Sequence, residues 1–168
     1  MKIYAGIGAR QTPFEQLDLM AHIASELGSS WLLRSGGAVG ADATFERNAG
    51  AKEIHLPWNS YNKHWDGRDG AIVPAFTQRI QDIAKTHHPV WEQLSVGAKQ
   101  MMCRNVTIVL GEHLDKYVDM VVCWTKNGKL VGGTSQAMRI AYAYDIPVFN
   151  LAIEMDITRL VKHINGRK

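Results

Sequence analysis

The chain has 168 residues, 46% of them hydrophobic, enough for one domain with a continuous core and too few to favour two. Its two cysteines, Cys103 and Cys123, sit in apolar stretches and exclude a disulfide framework, reading instead as buried thiols of a reducing compartment. A formal charge of +3 suits an anionic ligand without marking a nucleic-acid tail, and with no signal-peptide core and no apolar run near the ~20 residues of a membrane span the expected location is cytoplasmic, with no membrane partner.

Lys2 to Gly6 reads as a strand and Pro13 to Leu27 as an amphipathic helix, opened by Thr12-Pro13 and stopped by Gly28. A strand over Trp31 to Arg34 runs into Ser35-Gly36-Gly37, followed by a helix from about Gly40 to Asn48 and a strand over Glu53 to Leu56. Residues 57–74 hold Trp58, Tyr61 and Trp65 among Asn, Gly and Asp with no sustained period, and read as one long loop of the kind that often carries function. Helices are expected over Ala75 to Thr86 and Val90 to Leu110, then a buried strand over Val118 to Trp124. A helix over Met138 to Tyr144, a strand over Pro147 to Leu151 and a helix over Asp156 to Ile164 close the chain. This alternation predicts an α/β fold, a Rossmann-like, doubly wound, mainly parallel sheet with helices on both faces, as a single domain over residues 1–168.

Three glycine-bearing turns fall at ends of expected strands: Gly6-Ile7-Gly8-Ala9-Arg10, Ser35-Gly36-Gly37-Ala38-Val39-Gly40-Ala41-Asp42, and Gly132-Gly133-Thr134-Ser135. In an open α/β sheet such ends converge on one edge, where helix N-termini offer backbone N–H groups and a positive dipole end to a phosphate. The familiar fingerprints are absent. Gln11 stands where a dinucleotide motif places its third glycine, and no Gly-Lys-Ser/Thr ending marks a P-loop.

These same turns, with the pair Arg104-Asn105 and the later Ile146-Pro147-Val148, resemble the SLOG superfamily. That superfamily includes the DNA-processing proteins of DprA (Smf) type and the LOG phosphoribohydrolases that release cytokinin bases. The resemblance spans about Lys2 to Leu151, and its Ser-Gly-Gly-Ala-x-Gly-x-Asp segment with Arg104-Asn105 is most similar to DprA. In size the chain is similar to small stand-alone members often seen in phage genomes. It implies a nucleotide-binding edge of Gly8, Ala9, Arg10, Ser35, Gly36, Gly37, Gly40, Arg104, Asn105, Gly132, Gly133 and Thr134. No metal and no cofactor are expected, since the histidines lack metal-ligand spacing. One departure stands out: LOG enzymes carry a glutamate shortly after the Gly-Thr turn, whereas here Thr134 is followed by Ser135, Gln136 and Ala137.

The available catalytic substitutes are Asp42 and Glu46, four residues apart on one helix face. Either could hold a ribose hydroxyl or act as a base; alternatively Asp42 caps its helix and Glu46 makes an exposed salt bridge. Arg10 and Arg104 suit phosphate through the guanidinium fork, with an internal ion pair as the alternative for Arg104. Trp58, Tyr61 and Trp65 either stack on a base or plug the loop onto the core. His55, His87 and His88 lack metal spacing and read as surface or capping residues. Three functions fit. The leading one is recognition of a small phosphate-bearing nucleotide, with hydrolysis of the N-glycosidic bond of a nucleoside 5′-monophosphate as its enzymatic form. A non-catalytic nucleotide sensor or sequestering protein uses the same turns, and a DprA-like protein binds single-stranded DNA and self-associates into a homo-oligomer.

Overall fold

The computed structural model of the protein describes residues 1–166. Six strands, β1 (Lys2–Gly6), β2 (Trp31–Ser35), β3 (Ala51–His55), β4 (Ala71–Ile72), β5 (Met120–Cys123) and β6 (Val148–Asn150), form one all-parallel sheet in the order β4-β3-β2-β1-β5-β6. Six helices cover it: α1 (Phe14–Leu27), α2 (Ala41–Asn48), α3 (Gln78–Thr86), α4 (Val96–Leu110), α5 (Thr134–Ala143) and α6 (Glu154–Asn165).

The two-residue period of the strands divides the core. Ile3 and Ala5 of β1, with Val121 and Cys123 of β5, face α3, α4 and α5. Tyr4, Met120 and Val122 face α1, α2 and α6 instead. Both faces are therefore apolar, which is why these strands read as near-continuous hydrophobic runs. Chain order reverses between β1 and β5, and in such sheets the crevice outside the strands' carboxyl ends at that point receives ligands.

Three helix starts and one short strand depart most from expectation. The helix expected from Ala75 begins at Gln78, because the Thr77 side chain accepts from Ile80 N at 3.4 Å and caps it. The helix expected from Val90 begins at Val96, where Ser95 Oγ accepts from Ala98 N; residues 91–93 form a separate 3-10 turn. The helix expected from Met138 starts four residues earlier at Thr134, directly on the third glycine turn. The long loop holds β4, which pairs with β3 through Ile54 with Ala71 and His55 with Ile72.

His55 corrects a further expectation, since it lies in the core and neither on the surface nor at a cap. Its ring is fully buried, with Nδ1 2.9 Å from Thr107 Oγ1 and Nε2 3.4 Å from Glu53 Oε2. Glu53 also accepts from Arg34 Nε at 2.8 Å, and Arg34 Nη1 donates to the Lys116 carbonyl at 2.6 Å. Hydrogen bonding by His55 and then Arg34, stronger together than the opposing effect of burial, brings the Glu53 carboxyl from 4.5 down to about 2. A carboxyl lowered in the folded state adds stability that is full above its unfolded value and vanishes as pH falls through the folded one. Glu53→Gln is therefore expected to unfold more easily at neutral pH and to flatten the stability profile between about pH 4.5 and 2. Urea titrations across that window measure it, and parallel profiles for both proteins would separate Glu53 from acid unfolding.

Candidate functional site

The first glycine turn is laced to the end of β5. Ile7 N donates to the Val122 carbonyl at 3.1 Å and Ala9 N to that of Trp124 at 3.3 Å. The second turn is tied to the first from beneath, with buried Ser35 Oγ donating to the Gly6 carbonyl at 2.6 Å. Asp42, in the first turn of α2, then reaches back across both. Its Oδ2 accepts from Gly36 N at 3.2 Å and Ala38 N at 3.3 Å, and Gly8 N donates to the same carboxyl. Burial pushes Asp42 from 3.8 up to about 6, against the pull of Arg104 and of these backbone donors. The carboxylate thus fastens two loops together and does not cap its own helix.

Arg104 enters from α4, 7% exposed. It donates to the Gly36 carbonyl and, at 3.4 Å, to that of Met101, while its guanidinium lies 5.7 Å from the centre of the Tyr61 ring. Gly36 is squeezed between the two charged groups. A Cβ there would sit 2.5 Å from Arg104 Nη1 and 2.8 Å from Asp42 Oδ2, so no larger residue fits without displacing one of them. The third turn joins through Asn105, whose Nδ2 donates to the Gly133 carbonyl at 3.2 Å. Gly133 and Thr134 open α5, and first-turn N–H groups of a helix have no acceptor within it.

A cleft of about 440 Å³ lies where these pieces meet. Gly8, Ala9, Arg10, Asp42, Arg104, Asn105, Gly132, Gly133 and Thr134 all line it. Ser35, Gly36, Gly37 and Gly40 stand behind this wall and shape it. Gly37 receives Asn62 Nδ2 on its carbonyl at 3.0 Å, and Gly40 backs onto the Arg10 carbonyl. Glu46 lies outside the lining, its carboxylate 2.9 Å from His64 Nε2. Arg10 is exposed at the mouth, with Nη2 3.5 Å from the Tyr61 hydroxyl.

Of the aromatic residues in the long loop, Tyr61 is buried and lines the cleft, Trp58 packs edge-on against it at 5.3 Å, and Trp65 stays exposed. Met101 and Met102 also line the cleft, and sequence reasoning missed them because helical methionines ordinarily signal core. Among the described residues, no cluster of three His, Cys, Asp or Glu side chains is placed to hold a metal, and no helix is long and apolar enough to cross a membrane. Chemically, the cleft combines an exposed guanidinium, a helix N-terminus and glycine backbone, groups whose chemistry suits an oxyanion.

No protein-family model matches the sequence, and no curated protein matches it either. The chain is similar in structure to DNA processing protein A from Helicobacter pylori, a protein whose single-stranded DNA binding mode has been described structurally. The TM-score is 0.61 at 17% identity, over 96% of this chain and 72% of that one. At this identity the likeness is one of fold, and it matches the Rossmann-like sheet built above.

Proposed function

We propose that this DprA-like fold is of SLOG type and binds single-stranded DNA, holding one nucleotide unit of the strand by its phosphate in the cleft. The observation that carries the reading is the meeting of three glycine turns, the N-terminus of α5 and the exposed Arg10 in one nucleotide-sized space. The N–H groups of Gly133 and Thr134 take phosphate oxygens and Arg10 supplies the counter-charge. Asn105 spends its Nδ2 on Gly133 and keeps its carbonyl oxygen for a base or sugar donor. The solved structural neighbour, a binder of single-stranded DNA, supports a strand over a free mononucleotide.

Hydrolysis of the N-glycosidic bond is the weaker version. It needs a carboxylate free to approach the sugar, whereas Asp42 is buried and held by the backbone N–H groups of two loops, and Glu46 stands outside the lining beside His64. Self-association belongs to the same reading and is measured by sedimentation with and without DNA.

Fluorescence anisotropy with labelled oligo-dT tests the proposal. Binding is expected to weaken steeply with salt and to be competed by thymidine 5′-monophosphate and by sulfate. Arg10→Ala is expected to cost about tenfold, the worth of one charge-assisted hydrogen bond. Arg47→Ala is the control, since Arg47 is exposed on α2 and its Nη2 lies 3.5 Å from Thr44 Oγ1. Equal affinities of the two variants would remove Arg10 from the site. Chromatographic detection of free base from a panel of nucleoside monophosphates would return hydrolysis to first place.

A further inference from the structure

The geometry points to a second phosphate subsite beside the cleft, formed by Arg139 with His87 and His88, so that the protein grips two successive phosphates of one strand. It rests on the reading of the cleft just given and adds a part of the surface that lies outside the lining.

Arg139 stands on α5 five residues beyond Thr134, a helical rise of about 7.5 Å and so of the order of the step between neighbouring phosphates in an extended strand. Its charge is unbalanced. Arg34 has Glu53 and Arg159 has Asp156, but among the described residues Arg139 has no carboxylate partner. Its Nη1 donates to Ser135 Oγ at 3.2 Å, and Ser135 Oγ donates in turn to the Gly132 carbonyl. The guanidinium is therefore tied to the third glycine turn, with most of its N–H fork left over. That fork matches a phosphate.

The end of α3 supplies the other wall. Gln136, one turn ahead of Arg139, donates from Nε2 to the Ala84 carbonyl at 3.3 Å, which sets the last turn of α3 against α5. His87 and His88 follow immediately, both partly exposed. Burial, and then the Arg139 charge, lowers both imidazoles from their ordinary value, so they are neutral donors at neutral pH. For His88 the tautomer is set: Nδ1 accepts from Val90 N at 3.2 Å, which leaves the proton on Nε2. A cation with spare donors, and imidazoles at the end of α3 near enough to feel its charge, make a site for a phosphodiester.

The test compares oligo-dT with thymidine 5′-monophosphate on the full chain. Arg139→Ala is expected to lower the ratio of oligonucleotide to mononucleotide affinity about tenfold, one charge-assisted contact. It should also reduce the slope of log K against log salt for oligo-dT by about 0.7, one phosphate's share in a single strand. His88→Ala should lower the same ratio less and leave the salt slope in place, because a neutral donor releases no counterion. An unchanged ratio in Arg139→Ala overturns the subsite. Equal losses for both ligands also overturn it, since Arg139 would then act only by steadying Gly132 through Ser135. If the wild-type protein binds neither ligand, the cleft reading fails, and the subsite with it.

Discussion

Arg104→Ala is expected to lower stability by about 3–5 kcal/mol, the usual cost of stripping the partner from a buried charge. The Gly36 carbonyl loses its donor, and the Asp42 carboxylate is left buried beside empty space. The size of the loss should depend on pH. In the wild type Asp42 is already raised from 3.8 to about 6, so between those values the native state holds its proton more tightly than the unfolded chain. Its contribution is full below about pH 4 and is lost as pH rises through 6. Without the guanidinium the carboxyl rises further, and the penalty for ionising it extends to higher pH. The deficit of Arg104→Ala is thus expected to be greater near pH 8 than near pH 5, and adding Asp42→Asn should recover part of it. Urea unfolding at the two pH values reads this directly. Equal deficits at both would mean that Arg104 acts through its backbone hydrogen bonds and not through Asp42.

Gly40→Ala is the second large effect. Gly40 precedes α2 with φ 82° and ψ −118°, a conformation closed to residues with a side chain. A Cβ would also stand 2.5 Å from the Arg10 carbonyl oxygen, which is backbone and cannot swing aside as a side-chain tip does. Strain of about 1–3 kcal/mol and overpacking of about 1–3 kcal/mol both apply, so the variant should lose about 2–6 kcal/mol. It should also displace Arg10 and so weaken the oligo-dT binding proposed above. Gly28→Ala separates the two causes, because Gly28 has φ 50° but open space around its Cβ position. Thermal unfolding should rank Gly40→Ala well below Gly28→Ala. Equal shifts would leave the clash with Arg10 without effect.

Much of the architecture was legible because two-sided burial leaves a plain mark. The runs containing Ile3-Tyr4-Ala5 and Met120-Val121-Val122 read as strands, and both lie inside the parallel sheet. β4 was hidden because two residues cannot display a period. The start of α5 was obscured by Gly132-Gly133-Thr134, which reads equally as a loop. At the site, the glycine turns and Arg104-Asn105 announced themselves by residue type. What Asp42 does was not legible, since its partners Gly8, Gly36 and Ala38 are set by how two loops stack. Glu46 was misleading for a similar reason: its neighbour His64 lies in a segment without periodicity, so nothing in the sequence joined them.

The place of β1 in the middle of the sheet bears on how the chain assembles during synthesis. One side of β1 meets β2 as soon as the first helix has been made, but the other waits for β5, and Ile3 finds Asp119 only across a separation of 116 residues. At ribosomal rates of ~5–20 residues per second that wait lasts roughly 6–23 s. For its duration β1 carries an open strand edge of the kind that recruits other chains. Interrupted translation therefore leaves an adhesive edge at β1, in what becomes the interior of the sheet.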